Sequence, residues 1–387
     1  MSVMSASRPE MAPRVVHLST VHRADDVRIF HKQAKSLARA GYAVKIIARA
    51  DAAGEEGGVA YEPLPLSRPH RLLRMTLGSW RLGRMAIRED ADLYHVHDPE
   101  LLPVGLILKL LGKTVVYDVH EDVPRQIRDK YWIPGVLRAP VARMFSLFQG
   151  VCVRFLDGAV AATPGIARTL KTKHVIAVQN FPVMDELTDQ PVAVGLQEGS
   201  RLLYAGGLTA VRGAREMVQA MEIVGKDRDV RLTIAGSIRP AHLENELRAM
   251  RGWSFVDYLG WQNRRELMQT FSRCSLGLVL FHAAPNHLES QPNKLFEYMA
   301  AGLPVVASDF PFWRQFVEDV GCGIMVDPRD PDRIAEAITW LLDHPEEARA
   351  MGQRGRKAVV ERFNWDQEAR KLLDFYAAHI GVPDAAE

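Results

Sequence analysis

Two glutamates and a lysine in the C-terminal third of the chain are spaced to surround a phosphate. Glu289 precedes a predicted helix, Lys294 lies in its first turn, and Glu297 follows eight residues after Glu289. A helix N-terminus with a lysine attracts a phosphate, and flanking carboxylates accept hydrogen bonds from hydroxyls. The spacing suits a ligand with a diphosphate between two sugars. The alternative is structural: Glu289 complements the helix dipole, and Glu297 pairs with Lys294.

Proline and glycine bound the segment that must position these side chains. Pro292 suits a first helical turn, Gly302 suits the position after a helix end, and Pro304 prevents continuation. We therefore expect a helix over residues 292–301. A buried strand over residues 305–307 then enters a sheet.

Together with the following Ala-Gly-Leu-Pro-Val-Val-Ala-Ser, this stretch resembles the Glu-x7-Glu signature of retaining glycosyltransferases with the GT-B fold, in particular family 4. The resemblance implies that Glu289 contacts hydroxyls of the donor sugar and that Glu297 binds the ribose of the nucleotide. It extends over most of the chain. It implies two doubly wound parallel α/β domains facing each other across a cleft, and transfer with retention of anomeric configuration.

A glycine-rich turn, Gly206-Gly-Leu-Thr-Ala-Val-Arg-Gly213, links a predicted strand over residues 201–205 to a predicted helix. Such turns let a phosphate approach the backbone. The equivalent family turn carries Gly-Arg and, five residues later, Lys-Gly, whose two cations hold the donor diphosphate. Here Gly207 takes the arginine position and Arg212 the lysine position. Diphosphate binding would therefore depend on Arg212 and Lys294.

The same resemblance places the nucleotide base near residues 259–261, at the end of another predicted strand. Trp261 would then contact the base, or alternatively it packs under the next helix. The sequence does not identify the base, the sugar or the acceptor, because specificity depends on loop geometry and a few side-chain contacts.

Histidines and acidic residues gather at the ends of two adjacent predicted strands, and include His95, His97, Asp98 and His120. Such a cluster could bind a metal and supports a rival interpretation as a metallohydrolase. Against this, Asp98 before Pro99 is a natural helix N-cap, and we expect His95 and His97 to point to opposite faces. We therefore predict no metal and no cofactor. The family resemblance implies that His120 lies beside the transferred sugar.

The loop after the first predicted strand, residues 19–28, faces the carboxyl end of the sheet, where open α/β folds bind ligands. It contains no glycine, so we do not expect an amide-cradled phosphate. His22, Asp26 and Arg28 are the candidate contacts on the acceptor side of the cleft. Alternatively, an ion pair between Asp26 and Arg28 holds the loop.

The overall composition is that of a globular protein: 387 residues, 47% hydrophobic and 25% charged, with a formal net charge of +2. This charge does not indicate a nucleic-acid partner. Three cysteines without a Cys-x-x-Cys pair indicate a reducing compartment. The N-terminus is polar, and the most apolar run, residues 101–111, is too short to span a membrane. We expect a cytoplasmic location.

Alternating strand and helix patterns predict two α/β domains with parallel sheets. We place the N-terminal acceptor-side domain at residues 1–182 and a linker at residues 183–200. The C-terminal nucleotide-sugar-binding domain follows at residues 201–362, and a helix at residues 363–387 returns to the first domain.

Residues 68–88 form a local basic surface. Five arginines lie within roughly 140° on a helical wheel, and they are Arg71, Arg74, Arg81, Arg84 and Arg88. Interleaved apolar residues such as Leu72 and Trp80 would let this helix lie on an anionic membrane. The alternative is a solvated face on a core helix. The family resemblance favours peripheral contact with the inner face of the membrane and a lipid-linked saccharide acceptor.

Together with the family resemblance, these patterns predict a hexosyltransferase that uses a nucleoside-diphosphate sugar and a hydroxyl acceptor. The resemblance implies retention of configuration, and with the basic apolar surface it favours a role in surface polysaccharide synthesis. Arg212, Lys294 and the helix dipole would stabilise charge on the leaving diphosphate. Glu289 and His120 would orient the sugar. The alternatives are a nucleotide-sugar epimerase on the same fold and a catalytically silent sugar-nucleotide-binding partner. The missing cation at Gly207 leaves the silent partner open as an alternative.

Overall fold

The computed structural model describes residues 12–65, 70–129, 133–184 and 199–383. The chain divides into two compact units, Met1–Asn180 with Gln367–Glu387, and Phe181–Asp366. Each unit is an α/β domain with its own sheet. Most of the expected linker, and Arg68 of the expected basic surface, lie outside the described residues.

The first unit is built, within its described residues, on an eight-stranded sheet in the order β3-β4-β2-β1-β5-β6-β7-β8, parallel except between β3 and β4. The strands are β1 Arg14–Arg23, β2 Ala43–Arg49, β3 Gly54–Glu56, β4 Val59–Pro63, β5 Leu93–Val96, β6 Thr114–Val119, β7 Gly158–Ala161 and β8 Val175–Ala177. The helices are α1 Lys35–Arg39, α2 Arg71–Leu73, α3 Ser79–Glu89, α4 Leu102–Leu110, α5 Val123–Asp129, α6 Gly135–Phe155 and α7 Pro164–Ala167. π-Helical segments, Val27–Ala34 and Arg74–Gly78, lead into α1 and α3.

The central strands of this sheet are buried on both faces. Every residue of β5 and β7 is buried, which explains why neither strand alternates between apolar and exposed polar residues. β1 extends further than expected, to Arg23, with an irregular register between Leu18 and Arg23. Part of the predicted loop over residues 19–28 is therefore strand, and the remainder leads to Asp26, which caps the first π-helical segment.

The second unit is built, within its described residues, on a six-stranded parallel sheet in the order β11-β10-β9-β12-β13-β14. The strands are β9 Ser200–Ala205, β10 Val230–Ala235, β11 Val256–Gly260, β12 Leu276–Val279, β13 Val305–Ser308 and β14 Gly323–Val326. The helices are α8 Ala214–Gly225, α9 Ala241–Ala249, α10 Arg264–Phe271, α11 Asn293–Ala300, α12 Pro311–Val317, α13 Pro331–Asp343 and α14 Pro345–Glu361.

Helices cover both faces of this second sheet. Leu202 and Tyr204 of β9 join a core formed with α8, α9 and α13. Leu203 and Ala205 alternate with Leu202 and Tyr204 along β9. They join a separate core formed with α10, α11, α12 and α14. Successive strand residues point to opposite faces, so the sheet is doubly wound.

The helix predicted over residues 292–301 is confirmed as α11, and Gly302 after it has a φ of 77°. Its inner face packs tightly on the sheet. The Ala205 N–H donates to the Tyr298 hydroxyl at 2.7 Å. A Cβ atom added at Gly277 would lie only 2.2 Å from the Tyr298 ring, so a larger residue would clash there. This packing fixes the direction in which α11 presents its first turn.

A final helix, α15 Trp365–Ile380, packs for most of its length within the first unit. The Tyr376 hydroxyl lies 2.6 Å from His95 Nδ1, and the Gln179 N–H donates to Glu368 at 2.8 Å. A Cβ at Gly158 would lie 2.6 Å from the Phe375 ring. The end of the chain is therefore an integral part of the first domain.

One described helix, α6, is long and apolar enough to cross a membrane when judged only by its length and composition. It has 21 residues, and its most apolar window has a mean hydropathy of 1.3 and is 22% buried. The three cysteines, Cys152, Cys274 and Cys322, are unpaired and buried.

Candidate active site

The turn after β9 has glycines where a side chain would not fit. Gly206 has a φ of 100° and Gly213 a φ of 70°, both in the region that favours glycine. A Cβ at Gly213 would lie 2.4 Å from the Leu280 carbonyl oxygen. Arg212 crosses this turn and donates through Nη1 to the Gly207 carbonyl at 2.7 Å. The turn therefore combines an accessible backbone with a cation.

Lys294, in the first turn of α11, points toward the same turn. A Cβ at Gly206 would lie 3.8 Å from Lys294 Nζ. The Lys294 side chain is buried, and among the described residues its Nζ has no hydrogen-bond partner. Its nearest support is the Tyr204 ring, whose centroid is 3.5 Å from Nζ. Lys294 Nζ is therefore a buried amino group that no carboxylate of the described residues contacts by a hydrogen bond.

The electrostatics of Lys294 follow from that burial. Burial, and then the charge of Arg212, hold the pKa of Lys294 well below its usual range. A phosphate beside the two cations would oppose both effects, because it supplies the opposite charge. The arrangement is suited to an anion between Arg212 and Lys294.

Glu297 does not pair with Lys294, so the structural alternative proposed for this pair is wrong. Its carboxylate instead accepts from Arg264 Nη1 at 2.6 Å, because Arg264 begins the neighbouring helix α10. Glu289 is exposed in the turn before α11. That turn is held by the Trp313 Nε1–H, which donates to the Ser290 carbonyl at 2.8 Å.

Trp261 is 76% exposed, just after β11. The alternative that it packs under the next helix is therefore wrong. An exposed aromatic face is available for stacking, so Trp261 remains a candidate contact for a base.

In the first unit, Asp118 near the end of β6 is the centre of the polar network. It is fully buried and accepts from Arg28 Nε at 3.0 Å, Arg28 Nη2 at 2.8 Å and Gln33 Nε2 at 2.7 Å. Burial opposes ionisation of Asp118, but the Arg28 charge and the nearby His120 outweigh it and lower its pKa. Asp118 is thus a buried carboxylate neutralised by Arg28.

His120 follows β6 and is held by this network. Its Nε2 lies 3.1 Å from Asp118 Oδ2 and 3.1 Å from His97 Nδ1. The His120 ring packs 4.9 Å from the ring of His22. Nε2 of His120 is therefore engaged inside the network, and 17% of the His120 side chain is exposed.

The side chains of His22 and Asp26 lie together, but the guanidinium of Arg28 does not join them. Asp26 Oδ1 accepts from the N–H groups of Arg28 and Ile29, and Asp26 Oδ2 lies 3.1 Å from His22 Nδ1. Burial opposes ionisation of Asp26, but the hydrogen bonds from His22 and Ile29 lower its pKa. The expected Asp26–Arg28 ion pair is wrong, because the Arg28 guanidinium turns inward to Asp118.

Asp98 has a different partner from the one expected. Its side chain makes no cap bond to the helical turn that it precedes. It accepts instead from the N–H groups of Thr20 at 2.6 Å and Val21 at 3.1 Å, and from the Ser19 hydroxyl at 2.8 Å. A loop without glycines is therefore held by a carboxylate from the neighbouring strand end.

The expectation that His95 and His97 point to opposite faces is wrong. Residues two apart on a strand share a face, and their ring centroids are 4.6 Å apart. His17 on β1 joins them, with its Nδ1 2.8 Å from His97 Nε2. Burial lowers the pKa of His97 to about 3 and that of His17 and His95 well below the usual range, so all three are neutral at pH 7.

Two sets of side chains here are close enough to hold a metal ion by distance alone. One is His17, His95 and His97, and the other is His97, Asp118 and His120, with the ligand atoms of each set within 4.8 Å of one another. In the second set Asp118 already accepts from Arg28 and Gln33.

Asp118, Gln33, His17, Tyr204 and Arg264 were not identified from the sequence. The one available signal was Asp118, an acidic residue inside the otherwise apolar run Thr-Val-Val-Tyr-Asp-Val. Buried charges require partners, so this residue indicates a buried cation, which the structure identifies as Arg28.

Comparison with known proteins assigns both halves of the chain. Residues 27–184 match the model of the glycosyl transferase 4-like domain, and residues 190–358 match the model of glycosyl transferases group 1. MMP alpha-(1->4)-mannosyltransferase of Mycolicibacterium hassiacum is 24% identical over 312 residues, which is 78% of this chain and 74% of the relative.

Solved structures show the same fold. Sucrose-phosphate synthase from Thermosynechococcus elongatus superposes with a TM-score of 0.76 at 18% identity, covering 95% of this chain and 98% of that one. HepE of Anabaena, in complex with UDP and glucose, has a TM-score of 0.72 at 13% identity. The superposition covers 95% of this chain and 100% of HepE. The chain is a glycosyltransferase that belongs to group 1, family 4, and has the GT-B fold.

Proposed function

We propose that this glycosyltransferase moves a hexose from a nucleoside-diphosphate sugar to a hydroxyl acceptor with retention of configuration. The observation that carries the proposal is the buried Lys294 ammonium, which faces the Gly206 turn beside Arg212 without an anionic partner in the described residues. A buried cation of this kind requires a counter-charge. A diphosphate supplies it.

The reaction would be driven mainly by stabilisation of the leaving group. As the bond between the anomeric carbon and the phosphate oxygen breaks, negative charge grows on the diphosphate. Arg212 and Lys294 are already in place to stabilise that charge, in a site partly removed from water. The acceptor oxygen forms the new bond to the anomeric carbon, and its proton passes to the leaving phosphate oxygen.

The remaining candidate residues would orient the ligands. Glu289 would accept hydrogen bonds from sugar hydroxyls, Glu297 would bind the ribose, and Trp261 would contact the base. In the first unit, His120 would contact the transferred sugar, and His22 and Asp26 would contact the acceptor. We assign Arg28 a positioning role, because its guanidinium is buried against Asp118.

We propose that this reaction needs no metal ion. The charge that a metal would supply at the diphosphate is provided in this chain by Arg212 and Lys294. The histidine sets lie in the first unit, and their rings are already hydrogen bonded to one another, to Asp118 and to Tyr376.

The acceptor is proposed to be a lipid-linked saccharide used in surface polysaccharide synthesis, reached from the cytoplasmic face of the membrane. The described part of the basic surface supports this. Four of the five arginines of α2, the π-helical segment and α3 are exposed, Arg71, Arg81, Arg84 and Arg88, together with Leu72 at 67%, Leu73 at 53% and Trp80 at 56%. Arg74 does not belong to this exposed surface, because it pairs with Glu100 at 2.8 Å. Basic and apolar side chains exposed together suit the surface of an anionic membrane.

The direct test is release of nucleoside diphosphate by purified protein from UDP-, GDP- and ADP-hexoses, with and without bacterial lipid extract. We expect lipid-dependent release from one donor, lost in Glu289→Ala and kept in the control Glu361→Ala on the exposed face of α14. Conversion of the donor without acceptor would indicate an epimerase. Nucleotide binding without turnover of any donor would indicate the silent partner, which Gly207 in place of an arginine favours.

A further inference from the structure

A polar cavity in the first unit begins directly after His120. Its volume is about 190 Å³, and it lies between the end of β6, α5, α6 and α7. Glu121, the residue after His120, lines it. A ligand in this cavity would therefore lie near the histidine that we assign to the transferred sugar.

The cavity carries more positive than negative charge. Its lining includes the cations Arg125, Arg128 and Lys171, and the acids Glu121 and Asp122. Arg125 pairs with Asp122 at 3.2 Å, and Glu121 accepts from the side-chain amide of Gln126. Among the described residues, Arg128 and Lys171 have no ion-pair partner, so two cations are available to an anion.

A buried amide marks the inner wall. Gln149 on α6 is 7% exposed, lines the cavity, and has a side-chain oxygen without a hydrogen-bond partner among the described residues. Buried polar atoms are normally satisfied. A hydroxyl group of a ligand would donate to this oxygen, so the ligand combines an anionic group with hydroxyls.

The opposite side of α6 is apolar and exposed. The helix has three arginines and no acidic residue, while Ser146, Gln149 and Gly150 face the cavity. The large apolar residues that α6 exposes are Val136, Leu137, Met144, Leu147, Phe148, Val151 and Phe155. α4 packs against α6. On α4 Ile107 and Leu110 are also exposed, and so is Leu111 directly after it.

An exposed apolar surface of this extent, flanked only by basic charge on its helix, fits an anionic lipid surface better than water. One helix thus separates a polar, cationic cavity from an apolar face. The molecule that matches both sides is amphiphilic, with a phosphate and hydroxyls at one end and hydrocarbon at the other.

We propose that this cavity is the acceptor site, and that it takes the phosphorylated, hydroxyl-bearing headgroup of a membrane lipid while α6 lies in the lipid surface. Arg128 and Lys171 bind the phosphate, and Gln149 accepts from a hydroxyl. This inference rests on the proposed transferase function for its place in the reaction. The binding that it requires can be measured without turnover.

The test uses the full chain and phosphatidylcholine vesicles that contain either phosphatidylinositol or phosphatidylmethanol, which carry equal charge. Only phosphatidylinositol presents a phosphate with a ring of hydroxyls. We expect about tenfold tighter binding to the phosphatidylinositol vesicles, as charge-assisted hydrogen bonds to the headgroup would give. The double variant Arg128→Ala/Lys171→Ala should bind both vesicles equally.

The matched control is Arg168→Ala/Lys173→Ala, which removes two exposed cations of the same unit that do not line the cavity. It should keep the preference. Leu147→Ser/Phe148→Ser should lose vesicle binding but still bind soluble inositol 1-phosphate. Equal loss in the cavity and control variants would overturn the proposal, because surface charge alone would explain the binding. Failure of the wild type to distinguish the vesicles would also overturn it.

The cavity assignment and the proposed transferase function can fail independently of each other. If no donor is turned over but headgroup binding depends on Arg128 and Lys171, the cavity assignment stands and the transferase proposal fails. If lipid-dependent transfer occurs and the cavity variant keeps the wild-type KM for the lipid, the cavity assignment fails and the transferase proposal stands.

Discussion

His120 Nε2 lies 3.1 Å from the Asp118 carboxylate. The two residues are separated by one position in the sequence, at the end of β6. The same carboxylate neutralises Arg28. Asp118 therefore fixes the orientation of the candidate histidine and also compensates a buried cation. Its removal should affect both activity and stability.

Asp118→Asn tests that dual role, because the amide keeps the shape of the side chain and removes its charge. We expect the free energy of unfolding to fall by about 3 kcal/mol, since a buried cation loses its partner. kcat should fall with it. Denaturant unfolding and donor turnover measure the two effects.

Asp157→Asn is the control, because Asp157 pairs with Lys109 nearer the surface. Its loss should cost less than about 1 kcal/mol. Wild-type unfolding in Asp118→Asn would contradict the assigned role.

The buried histidines make stability depend on pH. The pKa of His97 is lowered to about 3, and those of His17 and His95 are lowered as well. Below the unfolded value of about 6.5, the unfolded chain binds protons that the folded chain does not, so stability falls as pH falls.

Each such histidine contributes a slope of roughly 1.4 kcal/mol per pH unit below the unfolded pKa. Urea unfolding at pH 7.5, 6 and 5 measures this slope. His97→Gln should reduce it, whereas His242→Gln, at an exposed position of α9, should not. Equal stability at pH 7.5 and 5 would show that the three histidines are not held neutral.

Gly207→Arg should restore the cation that the family pattern has at this position of the turn. A Cβ at Gly207 would lie 3.7 Å from Arg212 Nη1, an ordinary contact, so the backbone can accept a side chain. We expect nucleoside diphosphates to bind about tenfold tighter, as an added charge-assisted contact would give. Gly207→Gln controls for bulk without charge, and equal affinity in the two variants would contradict the diphosphate position.

Chelation tests the proposal that no metal is required. Turnover after dialysis against EDTA should equal that of untreated protein, because Arg212 and Lys294 supply the charge at the diphosphate. Elemental analysis of the purified protein is the companion measurement. Loss of turnover that added Zn²⁺ or Mn²⁺ restores would assign a role to one of the histidine sets.

Local sequence signals predicted the position of helix α11 and of the glycine-rich turn after β9. Pro292, Gly302 and Pro304 bound a helix by backbone chemistry that acts within a few residues. The pairings were not predictable in this way. Arg28 pairs with Asp118, and Glu297 pairs with Arg264. The partners are far apart in sequence, so tertiary packing determines these pairings.

Two errors have particular causes. Asp98 precedes a proline, which favours an N-cap, but its carboxylate instead accepts from the N–H groups of Thr20 and Val21 on the adjacent strand. The assignment of His95 and His97 to opposite faces misapplied the two-residue period of a strand. With that period applied correctly, the sequence predicts their shared face, but not the third histidine from β1.

The central claim is that Arg212 and Lys294 hold a diphosphate. The most direct test is calorimetric titration of the protein with UDP, GDP and ADP, and with the corresponding nucleoside monophosphates. For the preferred base, we expect the diphosphate to bind at least about tenfold tighter than the monophosphate, as a charge-assisted contact to the second phosphate would give. Lys294→Met, which keeps the buried stem, should remove that difference without lowering stability, whereas the exposed control Lys357→Met should keep it. Equal binding of mono- and diphosphates by the wild type, or an unchanged preference in Lys294→Met, would contradict the claim.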